Sequence, residues 1–211
     1  MEAAQALSAI DVQLNAAAAA VEAGKGAEAQ QIFQSLAAQN NVIAQYNLGV
    51  MHEGAAGIAA DLIEAARWYT LAADNGNAMA QYNLGVMYDQ GRGVSQDTAR
   101  ALALFSSAAL LGNASAQTNL GVMYDCGQGV PQDFVKASEL FNRAAEQGNP
   151  VAQCNLASMY FHGIGVEQNF EQALALYAMS AEQGNRVAIA KVNEICAALD
   201  AEASSGDVEA A

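Results

Sequence analysis

Apolar residues recur along the chain with a helical spacing nested inside a much longer period. Counting from Ala80, the residues Leu84, Met87 and Tyr88 stand 4, 7 and 8 positions further on. At about 100° per residue they share an arc of about 100°, the stripe of a helix with one buried face. The stripe returns every 36 residues: AQYNLGVMH begins at Ala44, AQYNLGVMY at Ala80, AQTNLGVMY at Ala116 and AQCNLASMY at Ala152. A second helical pattern follows each one, as in Ala65, Trp68, Tyr69, Ala72, Ala73 and then Ala101, Leu104, Phe105, Ala108, Ala109. Two amphipathic helices in every period, with no insertion over four periods, mark a repeat array.

The punctuation agrees with that division. Asp61, Asp97, Asp133 and Asn169 precede the second helices as N-caps, and Asp61–Glu64 and Asn169–Gln172 have capping-box spacing. Gly76, Gly112, Gly148 and Gly184 close those helices, where a left-handed residue suits the C′ position. The asparagines that follow, Asn77, Asn113, Asn149 and Asn185, cap the next first helix, and Pro150 fits its first turn. Between the two helices lie Gly91-Arg92-Gly93-Val94, Gly127-Gln128-Gly129-Val130 and Gly163-Ile164-Gly165-Val166. These loops carry no lysine and open no strand–helix unit, so they read as turns and not as phosphate cradles. A mid-helix glycine costs roughly 1 kcal/mol against alanine. Gly49, Gly85 and Gly121, with Ala157 in the fourth repeat, therefore predict close approach of a neighbouring backbone.

The recurring residues A-x-x-x-L-G-x-M-Y, then G-x-G-V-x-x-D, then an alanine-rich helix ending in Gly-Asn, resemble the Sel1-like repeat family, relatives of tetratricopeptide repeats. The resemblance covers 42–77, 78–113, 114–149 and 150–185. His52 in place of Tyr, Ala55 in place of the first loop glycine and Ala157 in place of Gly depart from the pattern. The resemblance implies an all-α, right-handed superhelical solenoid of two-helix repeats. The flanks extend it. Residues 1–41 read as a degenerate N-terminal pair: an alanine-rich helix from about Glu2 to Glu22, a turn at Gly24-Lys25-Gly26, then a helix carrying Ala29, Ile32, Leu36 and Ala37. Ala188, Val192 and Cys196 place a capping helix over 186–200, and 201–211 is expected to be a disordered acidic tail.

Composition narrows the function. Alanine fills 49 of 211 positions and proline 2, in keeping with helix. Lys and Arg number 8 against 22 Asp and Glu, a net charge of −14 that a nucleic-acid backbone would repel. No apolar run is long enough to span a membrane. Cys126, Cys154 and Cys196 lie 28 and 42 residues apart, which suits neither a disulfide framework nor a zinc knuckle; they read as three small apolar residues kept reduced. Those unpaired cysteines and the lack of a leader-like start slightly favour a cytoplasmic setting; a periplasmic one stays open for a trimmed chain.

No catalytic constellation, metal site or cofactor site is predicted. The three lysines, Lys25, Lys136 and Lys191, have no serine three residues before them. The Ser-x-x-Lys nucleophile is thus missing, although family association makes a β-lactamase-like or penicillin-binding enzyme the alternative. His52-Glu53 lacks a second histidine, and Cys126 with His162 supplies two ligands at most. Functional residues are expected instead opposite the apolar stripe of the first helices, the side that lines the concave surface in solenoids of this kind. That side carries Tyr46, Asn47, Val50, Glu53, Tyr82, Asn83, Val86, Asp89, Asn119, Val122, Asp125, Asn155, Phe161 and His162. Each Asn either grips the backbone of an extended partner or ties one repeat to the next. The tyrosines offer apolar area with a hydroxyl, and the acidic row favours basic segments. The expected function is a non-catalytic interaction scaffold or adaptor, or an immunity-type inhibitor. Its partner would be a protein or peptide with a basic or aromatic segment.

Overall fold

A computed structural model describes residues 8–54 and 57–209, with side chains as far as Ala198. Eleven helices and no strand are found among the described residues. The chain divides into two compact units, one ending at Leu111 and one beginning at Gly112. The first holds α1 (Ala9–Glu22), α2 (Gly26–Ala37), α3 (Val42–His52), α4 (Leu62–Asp74), α5 (Ala78–Gln90) and α6 (Thr98–Leu110). The second holds α7 (Ala114–Cys126), α8 (Phe134–Glu146), α9 (Pro150–His162), α10 (Phe170–Glu182) and α11 (Arg186–Glu209). Within each unit every helix packs on its neighbour in chain order. That order is the stacking expected of repeats that bury their apolar faces on one another.

The caps form where the spacing places them. Asn41, Asn77, Asn113 and Asn149 accept the amide three residues on, at 2.8–3.0 Å. Asp61, Asp97, Asp133 and Asn169 do the same for the second helices at 3.0 Å. The reciprocal half of the capping box is replaced at Glu64, whose carboxylate turns to Arg67 at 3.1 Å. Each second-helix cap also donates its own amide to the carbonyl at the eighth stripe position: Asp61 to His52, Asp97 to Tyr88, Asp133 to Tyr124 and Asn169 to Tyr160. This bond survives in the first repeat despite its divergent loop, in which Ala55 lies outside the described residues.

The mid-helix glycines face rings and not a backbone, which corrects the expectation. A Cβ on Gly85 would sit 2.8 Å from the Phe105 ring, and one on Gly121 would sit 2.7 Å from Phe141. Tyr69 stands over Gly49 in the same way. The large buried residue of the second helix thus sinks into the first helix of its own repeat. In the fourth repeat Ala157 and Tyr177 share one core cluster. Backbone proximity belongs to the loops: a Cβ on Gly93 would fall on the Leu62 carbonyl, and one on Gly165 on that of Phe134. Each pair brings a loop against the start of the preceding repeat's second helix.

The termini depart from the expected bounds. The first helix starts at Ala9, where Ser8 and Asp11 form a capping box; the stretch before Ser8 lies outside the described residues. Of the tail expected to be disordered, 201–209 is helical as the continuation of α11, and 210–211 lies outside the described residues. No proline interrupts 186–209, and the alanines and glutamates there favour helix. Ala188, Val192 and Ile195 pack in the last core cluster, while Cys196 is exposed. Cys126 is exposed as well, so only Cys154 acts as a buried apolar residue; all three are free thiols.

Candidate protein-binding face

In the first compact unit the face opposite the stripe of α3 and α5 is partly closed by its own contacts. Tyr46 packs on Tyr69 with ring centroids 6.0 Å apart, and Tyr82 packs on Phe105 at the same distance. Val50 joins the same cluster as Tyr46. Asn47 donates to the Ile43 carbonyl of its own helix at 2.8 Å. Glu53 accepts the Tyr69 hydroxyl at 2.7 Å and pairs with Arg92 of the next repeat at 3.4 Å. The Asn83 amide also reaches that hydroxyl. Burial, then the neighbouring Glu53 carboxylate, pushes Tyr69 far above the usual tyrosine range. Tyr46 and Tyr82 are thus packed within their own repeats and Asn47 is bonded within its own helix, while Glu53 and Asn83 bridge the first and second repeats; Val86 and Asp89 are half-buried beside them.

The second unit is more open. Val122 and Asp125 of α7 meet Asn155 and Ser158 of α9 around a pocket of about 310 Å³, floored by Phe141 and Met159. Three of the expected residues, from two adjacent repeats, come together there. The Asp125 carboxylate and the Asn155 amide have no hydrogen-bond or ion-pair partner among the described residues. Asn119 is half-buried on the same helix as Val122. Thr118 and Cys154, which replace the tyrosines of the first unit, are buried instead. Burial raises the Cys154 thiol. Phe161 and His162 lie apart from the pocket, at the end of α9, where Phe161 meets His162 and Phe170 edge-on at 5.1 and 5.2 Å.

Outside the expected site residues, a ladder of glutamines joins the first helix of a repeat to the end of its own second helix and to the repeat before it. Gln45, Gln117 and Gln153 are almost fully buried, next to the first alanine of each stripe. Their side-chain oxygens accept from Asn75, Gln147 and Gln183 at 3.1, 2.8 and 2.8 Å. Gln81 and Gln153 donate back to the preceding repeat, to the carbonyls of Ala73 and Ala145. The signal was the invariant Ala-Gln pair at four stripe starts, a polar residue where a core position follows.

No cluster of three His, Cys, Asp or Glu suited to a metal exists among the described residues. His52 is directed to Gln30 of α2, at 3.4 Å. None of the described helices is long and apolar enough to cross a membrane.

The Sel1 repeat family model matches residues 42–77, 78–113, 114–149 and 150–185 in register with the helix pairs. The chain belongs to the Sel1 repeat family. Repeats of this family commonly form protein-interaction scaffolds. Among solved structures it is similar to a protective antigen of uropathogenic Escherichia coli, with 33% identity and a TM-score of 0.79, over 88% of this chain and 41% of that one. It thus spans about two fifths of the length of that relative. A Sel1 repeat protein of Oxalobacter formigenes is 32% identical with a TM-score of 0.79, over 86% of this chain and 74% of that one. An immunity protein of Pseudomonas aeruginosa is 25% identical with a TM-score of 0.55, over 87% and 69%. No curated protein matches the chain significantly.

Proposed function

We propose that this Sel1 repeat chain is a non-catalytic scaffold that binds a segment of a partner protein on the first-helix face, as an adaptor or an immunity-type inhibitor. The observation that carries the reading is the pocket between α7 and α9, where Asp125 and Asn155 present polar groups without side-chain partners among the described residues, beside Val122. A carboxylate and an amide over an apolar floor suit a polypeptide with a basic side chain, whose backbone the amide can grip. The likeness to an immunity protein supports the inhibitor form, since that protein has the same fold over most of this chain. A hydrolase reading has no comparable support, because no lysine follows a serine at the required spacing.

The test is capture from the native host by the intact chain and by an Asp125→Ala, Asn155→Ala variant. A protein retained by the first and lost by the second, with helicity and unfolding midpoint preserved, is the expected result. Equal retention by both chains overturns the assignment of this face.

A further inference from the structure

We propose that the loop pocket of the fourth repeat accepts an arginine side chain from a partner polypeptide, in the place that the second and third repeats fill with a cation of their own. In the second repeat the Arg100 guanidinium lies 5.2 Å from the Tyr88 ring centroid and donates to its hydroxyl at 2.8 Å. In the third, the Lys136 ammonium lies 5.3 Å from the Tyr124 ring. Both cations are held by the aspartate that caps their helix, Asp97 or Asp133, at 3.4 Å. The ring quadrupole and the carboxylate together make a seat for a positive charge.

The fourth repeat keeps the seat and lacks the occupant. Tyr160 stands where Tyr88 and Tyr124 stand, but Gln172 replaces the cation and Asn169 the aspartate. Acidic residues have moved next door, to Glu167 and Glu171, where the second repeat has Ser95 and Ala99 and the third Pro131 and Val135. The local charge is therefore zero in the second and third repeats, one aspartate against one cation, and minus two in the fourth. Neither Glu167 nor Glu171 has an ion-pair partner among the described residues, and no cation there covers Tyr160.

The shape follows the sequence. Six equivalent positions line both pockets: Tyr88, Val94, Ser95, Gln96, Asp97 and Arg100 in the second repeat become Tyr160, Val166, Glu167, Gln168, Asn169 and Gln172 in the fourth. The volume rises from about 380 to about 500 Å³. On the other side of Tyr160 and Gln172 lies a second hollow lined by Leu156, Leu176 and Met179, which suits the aliphatic neighbour of a basic residue. Glu167, in the lining of the seat, and Glu171, in the first turn of α10, offset the positive end of that helix, which would otherwise disfavour a cation. This site is on the loop side of the second unit and does not depend on the first-helix face.

The test is a titration of the isotope-labelled full chain with the peptide acetyl-Gly-Arg-Gly-amide, followed by amide chemical shifts. Acetyl-Gly-Glu-Gly-amide serves as the control. Saturable shifts are expected at 166–172 and around Tyr160, with the loops at 94–100 and 130–136 unmoved and no response to the acidic peptide. Gln172→Arg rebuilds the second repeat's arrangement, so it should leave the melting midpoint intact and weaken the peptide at least tenfold. Equal shifts in all three loops, or an undiminished affinity in Gln172→Arg, overturn the proposal. So does a concentration dependence at 166–172 in the chain alone, which would assign the pocket to a second copy.

Discussion

Leu111 stands where three other repeats donate a side-chain amide, and it leaves the Gln81 oxygen buried without a hydrogen bond. Asn75, Gln147 and Gln183 fill the equivalent position and bond Gln45, Gln117 and Gln153. Gln81 Oε1 is shielded and has no hydrogen-bond partner among the described residues. Leu111 itself is 57% exposed, so its apolar side chain contributes little burial in exchange. A buried acceptor left unsatisfied costs about 1–3 kcal/mol.

Leu111→Gln is therefore expected to stabilise the chain, by about 1 kcal/mol once side-chain entropy is subtracted. Denaturant unfolding measures it. An unchanged or lower midpoint would show that Gln81 is satisfied some other way.

Gly121 gives a prediction of opposite sign. Gly→Ala in an open helix raises stability by roughly 1 kcal/mol, but overpacking a core costs about 1–3. A Cβ on Gly121 would lie 2.7 Å from the Phe141 ring, closer than carbon atoms allow. Gly121→Ala should lower stability, and adding Phe141→Leu should recover part of the loss, because the two changes share one contact. Additive effects in the double variant would contradict the ring-in-groove packing.

This packing marks the border of what the sequence discloses. Period, helix count and caps are legible because each rests on a local rule repeated four times; Asn77 and Asp97 cap where any such residue before a helical stripe would. The small residue at Gly121 is legible too, but its neighbour is not, since a glycine reports close approach without saying whether ring or backbone approaches. Tyr46 and Tyr82 lie outside the stripe by angle and still pack on Tyr69 and Phe105. A tyrosine ring reaches across the edge of a helix face, and angular bookkeeping treats side chains as points. The buried glutamines escape for a related reason: polarity suggests surface, and the partners that satisfy them include an amide 30 residues away.

Tyr69 links stability to alkaline pH. Its hydroxyl is buried and bonded to Glu53, and it titrates well above the usual range in the folded chain. The unfolded chain releases that proton near pH 10, while the folded chain retains it. The stability tied to this group is complete below about pH 10 and declines as the pH rises beyond it. Tyr69→Phe copies the phenylalanines of the middle repeats, so the fold is kept. It should cost about 1.5–3 kcal/mol at neutral pH by removing a bond to a carboxylate, and it should flatten the alkaline decline. An alkaline slope identical in both chains would place the responsible group elsewhere.

Partner binding should depend on Asp125 more than on Tyr82 or Asn83. Those two residues pack on Phe105 and reach the Tyr69 hydroxyl, so their removal disturbs the repeats before it informs on a ligand. Glu53 is engaged by Arg92 and Tyr69, which withdraws it from the acidic row. Asp125, in a pocket with Asn155 and without an ion pair among the described residues, keeps its charge available. Losing a hydrogen bond to a charged group costs about 1.5–3 kcal/mol, or about ten- to a hundredfold in Kd. Asp125→Asn should therefore weaken a captured basic partner by about that factor and make its binding less sensitive to salt, since one partly exposed charge is gone. Association and dissociation rates measured at two ionic strengths separate the outcomes. A salt dependence unaltered by Asp125→Asn would mean that steering arises from the general negative charge of the chain and not from this pocket.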